Sequence, residues 1–246
     1  MAGHSKWKQI KHKKAITDSR RAASWTKVIR EITVAAKAGG GDPAGNPRLR
    51  LAIDNARAVN MPRENIDRAI LKGTGELEGV SYEEITYEAY GPAGVAIMID
   101  ALTDNANRTV ADIRYTLSRN FGNLGTTGSV AWMFDRRGQI VVDASKYDEA
   151  KVMEVALEAG ATDMEVDEDA YTILTEVPDF HAVQDALRAA SIAVEEAELA
   201  MVPKNTVRVE GPDAPKLVKL LEALEDSDDV QKVYANADLD EDSLDG

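Results

Sequence analysis

The sequence predicts an α+β multidomain protein: an N-terminal helical domain followed by two α/β (ferredoxin-like) domains, one inserted in the other. Three observations lead there. Apolar residues recur at helical steps as far as Gly75. Beyond that point short alternating or wholly apolar segments take over, which is the pattern of strands. Residues 138–202 then carry a complete β-α-β-β-α-β series, and further strand and helix segments follow it.

Residues 1–16 show no sustained apolar periodicity and are expected to form an extended or partly disordered basic arm. From Thr17 the stripe Trp25, Val28, Ile29, Ile32, Ala35, Ala36 defines one helix face and makes Trp25 a core residue. Gly39-Gly40-Gly41 stops that helix. Asn46-Pro47 reads as an N-cap with proline in the first turn, and Leu49, Ala52, Ile53 and Ala56 follow in phase. A third helix restarts at Pro62 and is expected to end at Gly73. Strands are then expected at Ile85–Tyr90, Val95–Leu102 and Ser129–Phe134, with a helix at Asn107–Arg119. The ferredoxin-like series comprises Gln139–Val142, Tyr147–Ala159, Met164–Val166, Ala170–Leu174, Phe180–Ala190 and Ala193–Met201. Val207–Val209, Ala214–Leu224 and Val230–Tyr234 would complete the interrupted domain. The expected divisions are therefore 1–76, a basic arm with a three-helix nucleic-acid-binding domain; 77–135 together with 205–237; an inserted 136–204; and a frayed acidic tail, 238–246.

Charge is distributed unevenly. The chain has net charge −14, yet residues 1–75 hold 16 Lys+Arg against 6 Asp+Glu, and the remaining 171 residues hold 13 against 37. A basic module joined to an acidic body is the pattern of a protein that contacts a polyanion through one end. The densest run is His4, Ser5, Lys6, Trp7, Lys8, Lys11, His12, Lys13, Lys14, Arg20 and Arg21. Lysine and arginine neutralise phosphates and release counterions. Trp7 either stacks on an unpaired base or folds back onto the helices. Lys27 and Arg30 extend the charge along the first helix, Arg48, Arg50 and Arg57 onto the second, and Arg63, Arg68 and Lys72 onto the third. The short Asn60-Met61 connection makes the last two helices resemble a helix-turn-helix, with Arg63, Asn65 and Arg68 available to read base edges.

Other chemistries find little support. With no cysteine there is no disulfide, thiol nucleophile or Cys-ligated metal. His4, His12 and His181 are the three histidines, and neither an HExxH nor a GxSxG motif accompanies them. Gly39–Gly45 lacks the lysine of a phosphate-binding loop, and Gly122–Gly128 sits between a helix and a strand, the reverse of the dinucleotide-binding order. Asp238, Asp240 and Asp242 have the spacing of a calcium loop, but Ser243 replaces its glycine. No cofactor and no metal site are expected. The longest apolar run, about seven residues over Ala93–Ile99, is too short for a bilayer, and no secretory leader is visible, so a cytoplasmic protein is expected.

Several separated motifs together resemble one family. They are AGHSKW (Ala2–Trp7), KHKKA (Lys11–Ala15), AKAGGGDP (Ala36–Pro43), NPRLR (Asn46–Arg50), NMPRENIDRAI (Asn60–Ile70), YEAYGPAGVA (Tyr87–Ala96), DNANRT (Asp104–Thr109) and GNLGTTGSV (Gly122–Val130). The chain thereby resembles the YebC/PmpR family, whose mitochondrial relatives activate translation of a cytochrome oxidase subunit. The resemblance implies three domains, no catalytic residues, and regulation of gene expression. It carries two readings: a ribosome-associated factor that helps elongation through difficult sequences, and a DNA-binding transcriptional regulator. Ribosomal RNA or tRNA is the favoured partner, DNA the alternative, with ribosomal proteins as further contacts; no membrane partner is expected, and no oligomeric state is assigned. By motif, Asn105, Asn107, Arg108 and Thr109 are expected to line a second polar surface. An enzyme acting on nucleic acid would need clustered carboxylates or a metal site, and neither has a sequence signature.

Overall fold

The computed structural model describes residues 18–239, with side chains described from Trp25 onward. The expected arm at 1–16, the side chains of Arg20 and Arg21, and the tail from Asp240 lie outside the described residues.

Three helices open the described chain: α1 (Asp18–Gly39), α2 (Pro47–Ala58) and α3 (Arg63–Thr74). The start of α2 was legible because it is local chemistry: the Asn46 side chain accepts the Leu49 N–H at 3.0 Å and Pro47 follows. Ile32, Ala35, Leu49, Ala52, Ala56, Ile66 and Ala69 form the core between the helices. Trp25 packs against that core, half-buried, with its indole N–H donating to the Val59 carbonyl at 3.2 Å. One expectation is corrected here. Gly73 does not end α3; the helix runs on to Thr74, and Gly75, with φ of 82°, supplies the left-handed cap. Gly73 instead lies where α3 meets α1: a Cβ there would stand 2.4 Å from the Thr33 carbonyl oxygen and 2.7 Å from Ala36 Cβ.

The second body holds β1 (Glu83–Tyr90), β2 (Ala96–Thr103), α4 (Ala106–Arg119) and β3 (Asn123–Leu124). It resumes after the insertion with β8 (Val207–Val209), α7 (Asp213–Glu225), β9 (Val230–Ala235) and β10 (Ala237–Leu239). Its antiparallel sheet has the order β3-β1-β2-β9. The inserted segment holds β4 (Phe134–Asp143), α5 (Glu149–Glu158), β5 (Ala161–Val166), β6 (Ala170–Thr175), α6 (Phe180–Ala189) and β7 (Glu196–Pro203), with the order β5-β6-β4-β7. The two sheets share one layout: β2, β3, β1 and β9 occupy the positions that β4, β5, β6 and β7 occupy in the insertion. The expected ferredoxin-like fold class thus describes both, although β1 stands first in the chain rather than third.

The apolar run around β2 has a simple cause. Ile97 and Ile99 face α4 and α7 in one core, while Ala96 and Met98 face Val130, Phe134, Ala200 and Tyr234 on the opposite side. Both faces of the strand are covered, so the alternation that marks a half-exposed strand disappears. Two further expectations are corrected. Ser129–Phe134 is not a strand: Ala131–Met133 form a 3₁₀ turn and β4 starts at Phe134. The buried Glu88 carboxylate accepts the N–H groups of Gly128, Val130 and Ala131 at 2.5, 2.6 and 2.8 Å, leaving them none to give a sheet. The acidic tail does not begin at Asp238: Asp238 and Leu239 belong to β10, parallel to β8, with Leu239 buried.

Candidate nucleic-acid interface

The cations of the helical domain divide into two groups. Lys27, Arg30 and Arg48 are engaged within the protein. The Lys27 ammonium donates to the Glu225 carbonyl at 2.5 Å. The Arg30 guanidinium donates to the carbonyls of Leu102 and Asp228 at 2.9 and 2.8 Å and to Asp229 Oδ1 at 2.6 Å. It also lies 5.3 Å over the Tyr82 ring. Arg48 pairs with Glu31 at 2.8 Å and with Glu84 at 2.7 Å, tying α1 and α2 to the first strand of the body. Partial burial would lower the Arg48 pKa, but the bonds to the two glutamates outweigh it and raise it. These three cations act as joints within the protein.

Asp229 is the centre of the joint. Besides Arg30, it receives hydrogen bonds from the Thr109 hydroxyl at 2.7 Å, Arg108 at 3.2 Å and the Thr103 hydroxyl at 3.3 Å. Burial would raise its pKa, but the bonds from Thr109, Arg30 and Arg108 prevail and hold the carboxyl below the usual range. Of the four residues expected from DNANRT to line a second polar surface, Asn105, Asn107 and Arg108 are exposed and Thr109 is buried. Asn105 caps α4 by accepting the Arg108 N–H at 3.1 Å, and Arg108 also pairs with Asp104 at 2.6 Å. Asn107 alone of the four is exposed without a bonded partner among the described residues. The motif builds the socket for Asp229, an acid more than a hundred residues away that sequence inspection did not single out.

The second group faces solvent. Arg50 is exposed and donates only to the Pro43 and Ala44 carbonyls, both at 3.2 Å. Arg57 pairs with Asp54 at 3.1 Å and stays 71% exposed; Arg63 lies 3.6 Å from Asp67 and stays 91% exposed. Ion pairs this exposed contribute about 0–1 kcal/mol and yield readily to a phosphate. Arg68 and Lys72, four apart on the outer side of α3, meet no carboxylate among the described residues. His181 lies across a narrow crevice from Arg50 and Asp54, beside Asp185 and Arg188. Among the described residues no group of three His, Asp or Glu is placed to hold a metal, and no helix is long and apolar enough to cross a membrane.

Fold and site together define a class: an α+β protein in which a small basic helical module is bolted by its inner cations to an acidic double α/β body. Residues 5–76 match the model of the TACO1/YebC protein N-terminal domain, and residues 82–237 that of the TACO1/YebC second and third domain. The chain belongs to the TACO1/YebC family. It is 62% identical over 244 residues to a "Probable transcriptional regulatory protein" of Gemmatimonas aurantiaca, covering 99% of both chains. A protein of Chlorobium luteolum with the same name is 54% identical over 245 residues, 99% of this chain and 98% of that one. A solved structure of a conserved hypothetical protein from Aquifex aeolicus aligns with a TM-score of 0.85 and 44% identity, over 91% of this chain and 93% of that one.

Proposed function

We propose that this protein is a non-enzymatic, cytoplasmic regulator of gene expression that binds nucleic acid through its helical domain, acting on the ribosome as a translation factor. One observation carries the reading: in a chain of net charge −14, α2 and α3 leave Arg50, Arg57, Arg63, Arg68 and Lys72 exposed to solvent. The basic run His4–Lys14 precedes α1 in the sequence of the same helical domain. Phosphates are the counter-charge that such a surface meets, and ribosomal RNA or tRNA supplies them densely. The acidic faces of the body are repelled by RNA, so they turn away from it or engage basic ribosomal proteins. The names of the relatives support regulation; the preference for translation follows the resemblance to a family that includes mitochondrial translation activators.

A DNA-binding transcriptional regulator is the second reading, favoured by the relatives' printed names and by the exposed Arg63 and Arg68 on the second helix of a short helix pair. Sucrose-gradient sedimentation of a lysate, with and without RNase, separates the two. Co-migration with ribosomes, lost on deletion of residues 1–16, is the expected result. Sedimentation with small soluble material alone would sink the ribosomal reading. An operator bound well above random duplex in moderate salt would then support the DNA reading.

A further inference from the structure

The outer side of the α4–α7 helix pair carries two exposed aromatic rings in a basic setting. Tyr115 is 64% and Phe121 71% exposed, although neither the core nor any strand edge needs them. Tyr115 stands off the buried stripe of α4, which consists of Thr109, Ile113 and Leu117. Each ring already holds a cation: the Arg119 guanidinium lies 6.0 Å from the Tyr115 centroid and the Lys216 ammonium 5.2 Å from the Phe121 centroid. Between the helices runs an open groove of about 350 Å³, lined by Tyr115, Thr116, Arg119, Asn120, Lys219 and Ala223. Asp213 engages Lys216 at 2.9 Å, whereas Arg119 and Lys219 meet no carboxylate among the described residues.

Phe121 supplies an independent observation. It takes the left-handed residue after the Asn120 cap of α4, with φ of 63°, and the following Gly122 N–H closes the turn on the Leu117 carbonyl at 2.8 Å. That position is made for glycine, since a bulky side chain there is strained. A ring turned to water brings no burial to offset the strained backbone that holds it. Strain of this kind collects where function requires it.

We infer that this face is a second nucleic-acid site, for a single RNA strand whose unpaired bases stack on Tyr115 and Phe121 while Arg119, Lys216 and Lys219 meet its phosphates. The inference rests on the reading of the protein as a nucleic-acid binder and adds a site on the α/β body, apart from α2 and α3. Aromatic platforms flanked by cations are how proteins hold single strands without regard to sequence. A duplex keeps its bases stacked inside and offers this site only phosphates. The face therefore discriminates single-stranded from double-stranded RNA, which the cations of the helical domain do not.

The test uses the full chain and two fluorescein-labelled probes, a 12-nucleotide oligouridine and a 12-base-pair RNA duplex, read by anisotropy in moderate salt. Phe121→Gly and Tyr115→Leu are each expected to weaken oligouridine binding by about 5- to 10-fold, as loss of one stacked base does, and to leave duplex binding unchanged. Phe121→Gly should unfold no earlier than the parent chain, because it relieves the left-handed backbone, and Phe121→Trp should retain binding. If the parent chain binds both probes and the variants match it, this site falls and the helical-domain reading stands. If the parent binds neither probe, both fall. If a labelled decaglutamate peptide binds and the same variants abolish it while oligouridine does not bind, the face belongs to an acidic protein and the inference is overturned.

Discussion

Replacing Asp229 with alanine should loosen the helical domain from the body. The Asp229 side chain is 9% exposed and its partner Arg30 13% exposed, so the pair is nearly dry. Removing one partner of a buried ion pair costs about 3–5 kcal/mol, because the other charge stays behind uncompensated. Here Arg30 keeps two carbonyl acceptors, from Leu102 and Asp228, which places the expected loss at the lower end, about 3 kcal/mol. Urea unfolding followed by far-ultraviolet circular dichroism measures it, and a cycle of Arg30→Ala, Asp229→Ala and the double variant should give a coupling of about 2 kcal/mol. The pH dependence has a definite sign. The folded Asp229 carboxyl lies below its unfolded value of about 3.9, so the stability linked to its ionisation is fully present above that value and is lost as pH falls through the folded one. The gap between the parent chain and Asp229→Ala should therefore stay constant from about pH 5 to pH 8 and narrow below about pH 4. A loss under about 1 kcal/mol, or a gap that widens in acid, would refute the account of the joint.

Gly73→Ala should destabilise the helical domain by about 1–3 kcal/mol despite the better helix propensity of alanine, since its methyl meets the Thr33 carbonyl; thermal unfolding reads this, and a rise in Tm would contradict the packing. Glu88→Gln should speed hydrogen exchange at Gly128, Val130 and Ala131 while leaving the amides of α1 unaffected. The Glu88 carboxyl is held below its ordinary range, because the backbone N–H bonds outweigh burial, so these amides should also loosen in the parent chain as acid protonates it. Arg68→Ala with Lys72→Ala should change stability by no more than about 0.5 kcal/mol yet flatten the salt dependence of RNA binding by about 0.7 per lost phosphate contact. An unchanged slope would remove α3 from the interface.

What could be read from the sequence was local, and what could not was tertiary. Asn46, Pro47 and the stripe from Trp25 to Ala36 act within a few residues of themselves, so spacing alone was enough. The inserted ferredoxin-like series was legible for the same reason: each strand and helix carries its own period, and short links join them in order. Gly73 was read as a stop because glycine often is one; its contact with α1, about forty residues earlier, has no sequence signal. Ser129–Phe134 has the composition of a strand, and only the buried Glu88 across the loop explains why its amides are taken. Tyr115 did leave a signal, being out of phase with Ile113 and Leu117 between Arg114 and Arg119.

The basic residues teach the sharper lesson, because charge is visible in a sequence and its partner is not. Lys27 and Arg30 looked equivalent to Arg68 and Lys72, yet most of their acceptors lie about 200 residues downstream, near the end of the body. Part of the positive excess of residues 1–75 is therefore spent on the joint, and a salt slope predicted from the full count would be too steep. What is left for phosphate in the described part of the helical domain is the exposed set on α2 and α3. Deleting residues 1–16 removes the arm but not that set, so nucleic-acid binding should weaken and keep a finite salt slope. Adding Arg68→Ala and Lys72→Ala to the deletion should flatten it further. A deletion that already abolishes all salt-dependent binding would mean that α2 and α3 never reach the phosphates, and that the arm carries the contact alone.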